Sequence, residues 1–364
     1  MKEHWITRRR FINTAALAAA GTSLLGAKKL SAVSPVHYTA NHIVSIARVK
    51  DGNIRKAVEE AIDLLGGLNS VTAGKNSILL KPNLVGPDTN STTRLEVIES
   101  LARLFKNSGR DVVIGEGSAA ADKFNVINND TYRTKNKDIL DRMQRYIFDR
   151  LGFTEMAGSL KVPLINLHSG EMLDVPLRNG MVSDFVRINK TLDDVDLVCS
   201  VPMMKTHVLA GVTLSMKNFI GCYPGTEYYS VRSWLHDRAA EKGSDGIAYE
   251  ILDMNRALKT GLSVIDATSA MEGNGPTGGN VIDMDLIIAG TSPLATDIVG
   301  ATLMGFDPEE IPALKTAAKF GMNPATLDEI EIRGLKPEQC ARKLVKPQIF
   351  RWADISKTWG VKEI

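Results

Sequence analysis

The stretch VDLVCSVPMMKTH, residues 195–207, begins as a short apolar strand and ends in charged and polar side chains. Residues 195–201 have the composition of a strand buried on both faces, which is typical of parallel sheets covered by helices. Lys205 and His207 follow this strand almost at once. In such sheets ligands bind beyond the carboxyl ends of the strands. The stretch therefore predicts both an α/β fold and the position of a site.

Short apolar strands and amphipathic helices alternate along most of the chain. Further strands are predicted at residues 43–49, 77–81, 111–115, 162–167, 262–266 and 286–289. Helices are predicted at residues 54–65, 94–105, 247–258 and 293–304. This alternation predicts an α/β fold, in which helices cover both faces of a mainly parallel or mixed sheet and form a three-layer sandwich. Periodicity alone leaves the strand order open.

The composition is that of a folded globular protein. Apolar residues make up 44% and charged residues 24% of the 364 residues, which excludes a disordered or fibrous chain. A chain of this length fills one large domain or two ordinary ones. No stretch contains the ~20 apolar residues that a membrane-spanning helix needs.

The three cysteines, Cys199, Cys222 and Cys340, lie far apart in the sequence. They form none of the C-x-x-C pairs that bind zinc or iron–sulfur clusters, so no iron–sulfur cluster is expected on this chain. A single disulfide after export stays open, because spacing does not determine pairing. Cys222 follows Gly221 in a predicted loop, which makes it the thiol with the best prospect of reactivity.

The N-terminal stretch TRRRFIN, residues 7–13, resembles the twin-arginine export motif. An apolar stretch over residues 11–25 follows the arginines, and small residues continue as far as Ala32. This order of basic head, short apolar middle and small-residue end predicts a signal peptide over residues 1–32. Cleavage after Ala27 or Ala32 and retention as an anchor are all compatible with the pattern. We therefore expect export by the twin-arginine translocase to the periplasm or another extracytoplasmic compartment.

The positive charge of the chain lies in this predicted signal peptide. Residues 1–32 contain six Lys or Arg and one acidic residue, a net charge of +5, whereas the whole chain has +2. Subtracting +5 from +2 leaves about −3 for the remainder. Nucleic-acid binding requires a basic surface, so we expect no nucleic-acid partner.

Three predicted strands end in polar groups. These groups are Lys81 and Asn83 after strand 77–81, Lys205 and His207 after strand 195–201, and Asp266 and Glu272 after strand 262–266. Each pair alone is as easily explained by a solvated rim of the sheet. Three such ends along one sheet, each after an apolar run, predict a shared crevice of mixed charge.

Five short blocks of sequence around these residues resemble one protein family. They are KPN at 81–83, VPMMKTH at 201–207, MKNFIGC at 216–222, EGNGPTGG at 272–279 and SPLATD at 292–297. The blocks occur in the order typical of the family called domain of unknown function 362, and the resemblance covers residues 77–325. We therefore predict a family domain over residues 41–335 and a C-terminal extension over residues 336–364.

Two departures from the family pattern bear on function. Ser292 occupies a position where the family pattern has aspartate. Some members also carry a fused ferredoxin-like module with cysteine ligands for clusters, and this sequence has no such cysteine-rich run. The resemblance therefore gives no support to an electron-transfer role here, and it implies no particular activity.

Several side chains in these blocks are candidates for binding an anion. They are Lys81, Asn83, Lys205, Lys217 and Asn218. Lysine ammonium groups neutralise a phosphate or carboxylate, and asparagine amides add directional hydrogen bonds. Lys81 and Lys205 are also predicted to act in catalysis beside His207, whose usual pKa near ~6.5 suits acid–base chemistry at neutral pH. His207 is equally explained as a cap for the element that follows.

The glycine-rich turn is a second candidate for binding an anionic cofactor. Gly273, Asn274 and Gly275 lie between a predicted strand and Pro276. Their backbone N–H groups form a nest for an anion if several point the same way. The same residues are equally explained as a wide turn.

Three carboxylates are candidates for metal binding. Asp266, Glu272 and Asp297 supply the oxygen ligands that a hard divalent cation prefers, which makes such a metal the candidate cofactor. Asp297 is equally explained as an acid in the first turn of the helix that Pro293 opens.

The sequence as a whole predicts an exported α/β enzyme that acts on a small anionic ligand bearing a phosphate or carboxylate. The predicted site is a crevice of lysine, histidine and carboxylate side chains, with metal assistance as an option. Two alternatives remain: an extracytoplasmic ligand- or metal-binding protein without turnover, and a redox accessory protein whose partner supplies the cluster. The pattern leaves the substrate, the reaction and the oligomeric state open.

Overall fold

The computed structural model describes residues 42–355 and 362–364, so the predicted signal peptide over residues 1–32 lies outside the described residues. The described strands are β1 (His42–Arg48), β2 (Ser77–Pro82), β3 (Asp111–Glu116), β4 (Val126–Ile127), β5 (Asp130–Thr131), β6 (Leu164–Asn166), β7 (Met172–Pro176), β8 (Phe185–Asn189), β9 (Leu197–Val201), β10 (Met203–His207), β11 (Gly211–Thr213), β12 (Thr260–Glu272), β13 (Asn280–Gly290) and β14 (Ile330–Gly334). The described helices are α1 (Ile54–Leu64), α2 (Leu68–Val71), α3 (Leu95–Asn107), α4 (Lys137–Arg150), α5 (Phe153–Leu160), α6 (Thr191–Asp194), α7 (Ser215–Asn218), α8 (Gly225–Tyr228), α9 (Ser233–Glu241), α10 (Ala248–Ala257), α11 (Pro293–Leu303), α12 (Pro312–Lys319), α13 (Pro337–Cys340) and α14 (Trp352–Ile355). None of the described helices combines the length and the apolar composition needed to cross a membrane.

Ten of these strands form one mixed sheet. Eight lie in the order β14-β1-β13-β12-β9-β2-β3-β6, and β10 and β11 join the sheet through β12. The strands β12, β9, β2, β3 and β6 run parallel to one another, whereas β13 is antiparallel to both of its neighbours. The predicted α/β fold with a mainly parallel or mixed sheet is therefore confirmed.

Helices cover both faces of this sheet. Neighbouring residues of a strand point to opposite faces, so one strand contributes side chains to the cores on both sides. In β2, Ile78 and Leu80 belong to one hydrophobic core, together with apolar residues of α1, α3 and α4. Leu79, between them, belongs to the other core, which contains apolar residues of α10, α11 and α12. All three side chains are fully buried, so β2 is enclosed on both sides, as its apolar sequence predicts.

The sequence explains why α11 begins where it does. Ser292 precedes the helix, and its hydroxyl oxygen accepts a hydrogen bond from the Ala295 N–H (3.3 Å). Pro293 lies in the first turn of the helix, where a backbone N–H has no acceptor within the helix. The N–H that proline lacks therefore costs no helical hydrogen bond. Ser292 thus serves as a helix cap in the position where the family pattern has aspartate.

The strands β9 and β10 lie end to end, and the break between them prepares the site. Pro202 separates the two strands and has no N–H to continue the ladder. β9 pairs with the first part of β12, whereas β10 pairs with its second part and with β11. Because β2 ends beside Val201, the hairpin of β10 and β11 extends beyond the carboxyl ends of β2 and β9.

The segment predicted as a C-terminal extension lies against this domain through its described residues. The Val345 N–H donates to Glu272 Oε2 (2.9 Å), and the Val345 carbonyl accepts from the Gly273 N–H (2.8 Å). Further along, the Phe350 N–H donates to the Val208 carbonyl (2.8 Å). The segment therefore follows the same edge of the sheet at which β2 and β9 end.

Candidate functional site

A cavity of about 730 Å³ opens at this edge of the sheet. Its walls come from the ends of β2 and β3, the turn after β10, α7, the start of α9 and the turn between β12 and β13. The polar and ionisable side chains in the walls include Lys81, Asn83, Glu116, His207, Lys217, Asn218, Arg232 and His236. Seven of the predicted site residues, from four separate blocks of sequence, therefore line one cavity.

Lys81 lies in the floor of the cavity, where its ammonium group has three acceptors. Its Nζ donates to Glu116 Oε1 (2.7 Å), the Pro82 carbonyl (2.9 Å) and Asn218 Oδ1 (3.2 Å). The Glu116 carboxylate also accepts bonds from two backbone N–H groups, and both side chains of the ion pair are buried. This ion pair ties β2 to β3, and the catalytic role predicted for Lys81 would require one of its bonds to break.

The two predicted asparagines differ in what they leave free. The Asn218 amide donates to the Lys81 carbonyl (2.9 Å) and to Ser200 Oγ (3.1 Å), and its oxygen accepts from Lys81. Asn83 Oδ1 is buried and has no hydrogen-bond partner within the described part of the chain. Asn83 can therefore bind a ligand with its side chain, whereas Asn218 is committed to the protein.

Lys205 is completely buried behind the cavity wall and is not part of its lining. Its Nζ donates one hydrogen bond, to the Ser91 carbonyl (2.6 Å). Burial, and next the charge of Lys217, lower the pKa of the Lys205 amine well below its usual value. Lys205 thus supports the loop at Ser91 and influences the cavity electrostatically, which differs from the direct ligand contact predicted for it.

His207 lines the cavity with a fixed tautomer. Its Nδ1 accepts hydrogen bonds from the N–H groups of Leu209 (3.0 Å) and Ala210 (3.3 Å), which leaves the ring proton on Nε2. Burial, followed by the charges of Lys217 and Lys205, lowers the pKa of His207 well below its usual value. The expectation that His207 titrates near neutral pH is therefore corrected: it is a neutral Nε2–H donor that also caps the turn after β10.

Lys217 also lines the cavity, and its amine has no hydrogen-bond or ion-pair partner among the residues that the structure describes. Burial lowers the pKa of this amine to about 8, and the positive charges of Arg232 and Lys81 act in the same direction. A partly neutral amine in a cavity wall can bind an anion when protonated and act as a base or nucleophile when neutral.

Arg232 contributes a second positive charge that no carboxylate pairs among its described hydrogen-bond partners. Its guanidinium donates to the carbonyls of Gly117 (2.6 Å), Gly221 (3.2 Å), Tyr223 (3.2 Å) and Ser230. Burial lowers the pKa of Arg232 to about 10, so the group remains charged at neutral pH. These hydrogen bonds connect three loops around the cavity. Because the acceptors are neutral carbonyls, they do not neutralise the positive charge of Arg232 in the cavity wall.

His236 and Glu250 form a buried pair beside the cavity. His236 Nδ1 lies 2.8 Å from Glu250 Oε1, and both side chains are almost completely buried. The carboxylate fixes the ring with its proton on Nδ1, so Nε2 is left as an acceptor in a residue that lines the cavity. A histidine oriented by a buried carboxylate is the arrangement that enzymes use for a general base.

Sequence reasoning missed Arg232, His236 and Glu250. Arg232 and His236 fall in a stretch that has no strong periodicity, and Glu250 falls on a predicted helix as an ordinary acidic residue. The burial of His236 and Glu250 and the packing of α9 against α10 are visible only in the structure. Only the fold brings the two side chains into contact.

The structure does not bring the three predicted metal ligands together. Asp266 accepts bonds from the Arg94 N–H (2.7 Å) and from Thr268, and it borders a separate cavity of about 370 Å³. The Glu272 carboxylate accepts from the Val345 N–H, away from Asp266.

The third carboxylate, Asp297, accepts from the N–H groups of Ser215 (2.7 Å) and Met216 (2.8 Å) and caps α7. The described residues contain no group of three His, Cys, Asp or Glu side chains arranged to hold a metal ion. The shared metal site expected for Asp266, Glu272 and Asp297 is therefore corrected, because each carboxylate binds backbone groups of a different segment.

The glycine-rich turn does not form the expected nest. The Gly273 N–H donates to the Val345 carbonyl (2.8 Å), and the Gly275 N–H donates to the Gly273 carbonyl (2.9 Å). Asn274 and Gly275 line the cavity, but Asn274 Oδ1 accepts from the Gln348 N–H (2.9 Å). These groups hold the turn and the C-terminal segment together, which leaves neither glycine N–H free for an anion.

Cys222 is also enclosed by the fold. The side chain is fully buried, and burial raises the pKa of its thiol to about 12. At neutral pH the group is a thiol and a weak nucleophile. The reactivity considered for Cys222 is therefore not supported.

The inner surface of the cavity carries an excess of positive charge. Glu116 is paired with Lys81, whereas Lys217 and Arg232 have no carboxylate partner among the described residues. The acidic side chains Asp88 and Asp122 border the cavity and are exposed to solvent. Because water screens exposed charges more strongly than buried ones, the interior favours an anion.

The fold and site define an α/β protein whose parallel strands end at a basic cavity that contains two oriented histidines. The family model described as "Domain of unknown function (DUF362)" matches residues 78–302, from β2 into α11. The chain belongs to this family, as its sequence blocks predict.

Individual proteins are similar to this chain at low sequence identity. The chain is 25% identical over 283 residues to the thylakoid-associated protein sll1697 of Synechocystis sp. (strain ATCC 27184 / PCC 6803 / Kazusa), covering 76% of this chain and 78% of that protein. It is similar to the structure of the lactate racemase apoprotein from Thermoanaerobacterium thermosaccharolyticum, with a TM-score of 0.43 and 12% identity over 68% of this chain and 54% of that one. A protein from Thermotoga maritima gives a TM-score of 0.39 and 16% identity over 67% of this chain and 56% of that one. The chain spans little more than half the length of either solved protein.

Proposed function

We propose that this protein is an enzyme that binds a small carboxylate- or phosphate-bearing molecule in the cavity and transfers a proton from it with His236. The observation that carries the proposal is the His236–Glu250 pair beside a cavity that contains the Lys217 amine, which has no partner among the described residues. A general base and an anion-binding group in one cavity are the parts that such a reaction needs.

Binding of the anion follows from the charges in the wall. Lys217 is mostly protonated at pH 7, because its pKa is about 8. Arg232 adds a fixed positive charge nearby. Asn83 Oδ1 has no partner among the described residues and can accept a hydrogen bond from an O–H of the ligand, such as the P–OH of hydrogen phosphate. An anionic ligand supplies a counter-charge that the described residues do not.

The two histidines have complementary states for proton transfer. His236 Nε2 takes the proton from the substrate, and the Glu250 carboxylate stabilises the imidazolium that forms. His207 is a neutral donor whose Nε2–H can bond to a substrate oxygen that gains negative charge. Opposite tautomers therefore give the two rings opposite roles.

The test is exchange of substrate hydrogen with solvent deuterium. The purified protein is incubated in D₂O with small carboxylates and phosphate esters that carry a ketone or aldehyde, and the C–H signals beside the carbonyl are followed by NMR. We expect exchange with at least one compound, and His236→Gln should slow it by about 100-fold or more with little change in Kd.

His42→Gln is the matched control, because His42 lies in β1 and is not part of the cavity lining. It should exchange at the wild-type rate. Binding without exchange for every compound would favour the alternative of a ligand-binding protein without turnover. Absence of both binding and exchange would refute the proposal.

We also propose that the protein is exported by the twin-arginine translocase. The support is the TRRRFIN stretch at residues 7–13 and the apolar and small residues after it. Replacing both Arg8 and Arg9 by Lys should retain the precursor in the cytoplasm, measured by cell fractionation and immunoblotting. Undiminished protein outside the cytoplasm would refute this part of the proposal.

A further inference from the structure

We propose that Lys217 is the nucleophile of this site and that its amine condenses with the aldehyde or ketone carbonyl of an anionic substrate to form an imine. The inference rests on the proposed function, since it needs such a substrate in the cavity. It goes further by naming the carbonyl as the part of the substrate that reacts and Lys217 as the group that bonds to it.

Lys217 differs from the other two lysines of the site in what its amine contacts. The Lys81 amine donates to three acceptors, and the Lys205 amine donates to the Ser91 carbonyl outside the cavity lining. The Lys217 amine lies in the cavity wall without a partner among the described residues. Of the three amines, it is therefore the one that a ligand carbon can approach.

The backbone that carries Lys217 is fixed from behind. The Asp297 carboxylate accepts hydrogen bonds from the Ser215 and Met216 N–H groups at the start of α7. The Asn255 side chain donates to the Met216 carbonyl (3.0 Å). A fixed backbone limits the positions that the amine samples and so favours a reaction at one place in the cavity.

The surrounding charges keep part of the amine neutral. Burial has the largest effect on the Lys217 amine, Arg232 and Lys81 also disfavour its protonation, and Glu116 and Glu250 oppose them. The resulting pKa of about 8 leaves roughly a tenth of the amine neutral at pH 7, against fewer than about one in a thousand for an ordinary lysine. Neighbouring cations and burial are the means by which enzymes activate a lysine for imine formation.

The condensation joins the Lys217 amine to the carbonyl carbon and releases one water molecule. The neutral amine nitrogen forms a bond to the carbonyl carbon as the C=O π bond breaks, and the oxygen takes up a proton from solvent water and becomes a hydroxyl. His236 Nε2 accepts one of the two protons on the nitrogen and returns it to this hydroxyl, which leaves as water with the C–O electron pair. The second proton stays on the nitrogen, so the product is a protonated imine. The C=N bond that remains withdraws electrons from the adjacent carbon, so it makes the C–H bond there easier to break by the same base.

The test is reductive trapping with glyoxylate and sodium cyanoborohydride, followed by digestion and peptide mass spectrometry. The exposed residue Lys50 of the same protein is the internal reference. At pH 7 we expect labelling of Lys217 to be roughly 100-fold faster than that of Lys50, because the neutral fraction of the Lys217 amine exceeds that of an ordinary lysine by a similar factor. Inorganic phosphate should compete with labelling at Lys217 and leave Lys50 unchanged.

The rate of labelling at Lys217 should rise with pH and level off above about pH 8. Equal rates at Lys217 and Lys50, or no effect of phosphate, would overturn the inference. These measurements need only the wild-type protein, so they do not depend on a variant that folds.

The variant Lys217→Arg separates this inference from the proposed function. It keeps a positive charge at this position but lacks an amine that can form an imine, so imine trapping in the cavity should be lost. Deuterium exchange by a wild-type protein whose Lys217 is not labelled would remove the imine and leave the proton-transfer enzyme intact. Labelling of Lys217 without any exchange would support the imine and refute the proton transfer.

Discussion

Polar and charged side chains lie in both the floor and the wall of the cavity, but they differ in how many of their hydrogen-bonding groups already have a partner. The floor cluster, Lys81, Glu116 and Asn218, is buried and bonded within itself and to the backbone. The wall cluster, His207, Lys217 and His236, lines the same cavity, yet the Lys217 amine has no partner among the described residues. Each histidine of the wall cluster uses one ring nitrogen for the protein and has no described partner for the other.

This difference separates structural from functional polar groups. A closed cluster stabilises the fold only while it is complete, since removal of one member leaves a buried charge without a partner. An open group contributes little to stability and is available to a ligand. Substitutions in the floor cluster should therefore change folding, and substitutions in the wall cluster should change binding and turnover.

The largest expected effect is in the floor cluster. Lys81→Met leaves the Glu116 carboxylate buried without its counter-charge, so the free energy of unfolding should fall by about 3–5 kcal/mol. Chemical denaturation at neutral pH measures it. The double variant Lys81→Met/Glu116→Leu should recover much of this loss, because it removes both charges. A small effect of Lys81→Met alone would show that the floor cluster is not a closed structural unit.

The next effect concerns Asp297, which supports the wall cluster from behind. Burial raises the pKa of this carboxyl to about 7, although bonds from the Met216 and Ser215 N–H groups act against it. In the unfolded chain the carboxyl has a pKa near ~3.9, so between about pH 4 and pH 7 the folded state binds more protons. The free energy of unfolding should therefore fall as the pH rises through this window.

Asp297→Asn removes this titration, and the free energy of unfolding should then vary less between pH 4 and pH 7 than in the wild type. Urea denaturation at several pH values measures the two profiles. Parallel profiles for the variant and the wild type would mean that Asp297 is ionised throughout and that its pKa is not raised.

A smaller effect is expected for removal of the unpaired amine. Lys217→Met should weaken binding of inorganic phosphate by about 10- to 100-fold, the size of one charge-assisted contact, as measured by calorimetric titration. The free energy of unfolding should stay the same or rise slightly, because a desolvated charge is removed. Lys50→Met, at an exposed position, is the control for the change in net charge. A large loss of stability in Lys217→Met would place this residue with the floor cluster.

The sequence predicts the core of the sheet better than its margins. The apolar run at 77–81 is observed as Ser77–Pro82, because burial on both faces requires apolar residues throughout. The strand predicted at 262–266 extends to Thr260–Glu272, since β13 pairs along nearly all of it. β10 and β11 contain lysine, histidine and threonine, and no apolar pattern predicts them. β11 pairs with β10 in a local hairpin, and β10 joins the sheet through β12, which lies far away in the sequence.

The sequence also predicts only some of the residues of the candidate site. The motif blocks identify both His207, which closely follows a buried strand, and Lys217, which lies in the block MKNFIGC. They do not show which groups are already bonded, and for that reason Asp266 and Asp297 resemble metal ligands although both bind backbone N–H groups. The partner of His236 comes from another helix, so no local pattern specifies it. Hydrogen-bond satisfaction is a property of the folded chain.

The smallest expected effect compares two asparagines that the same blocks identify. Asn83→Ala removes an amide whose oxygen is buried without a partner among the described residues, so the free energy of unfolding should change by less than about 0.5 kcal/mol. Asn218→Ala removes hydrogen bonds to Lys81 and Ser200, so it should lower the free energy of unfolding by about 1–3 kcal/mol. In phosphate binding the order should reverse: Asn83 Oδ1 can accept from the P–OH of hydrogen phosphate, so we expect Asn83→Ala to raise the Kd by about three- to tenfold, the contribution of one net hydrogen bond. Urea denaturation and calorimetric titration on both variants give all four values. If Asn83→Ala destabilises the fold as much as Asn218→Ala and leaves the Kd unchanged, then an unsatisfied buried oxygen does not identify a ligand contact in this cavity.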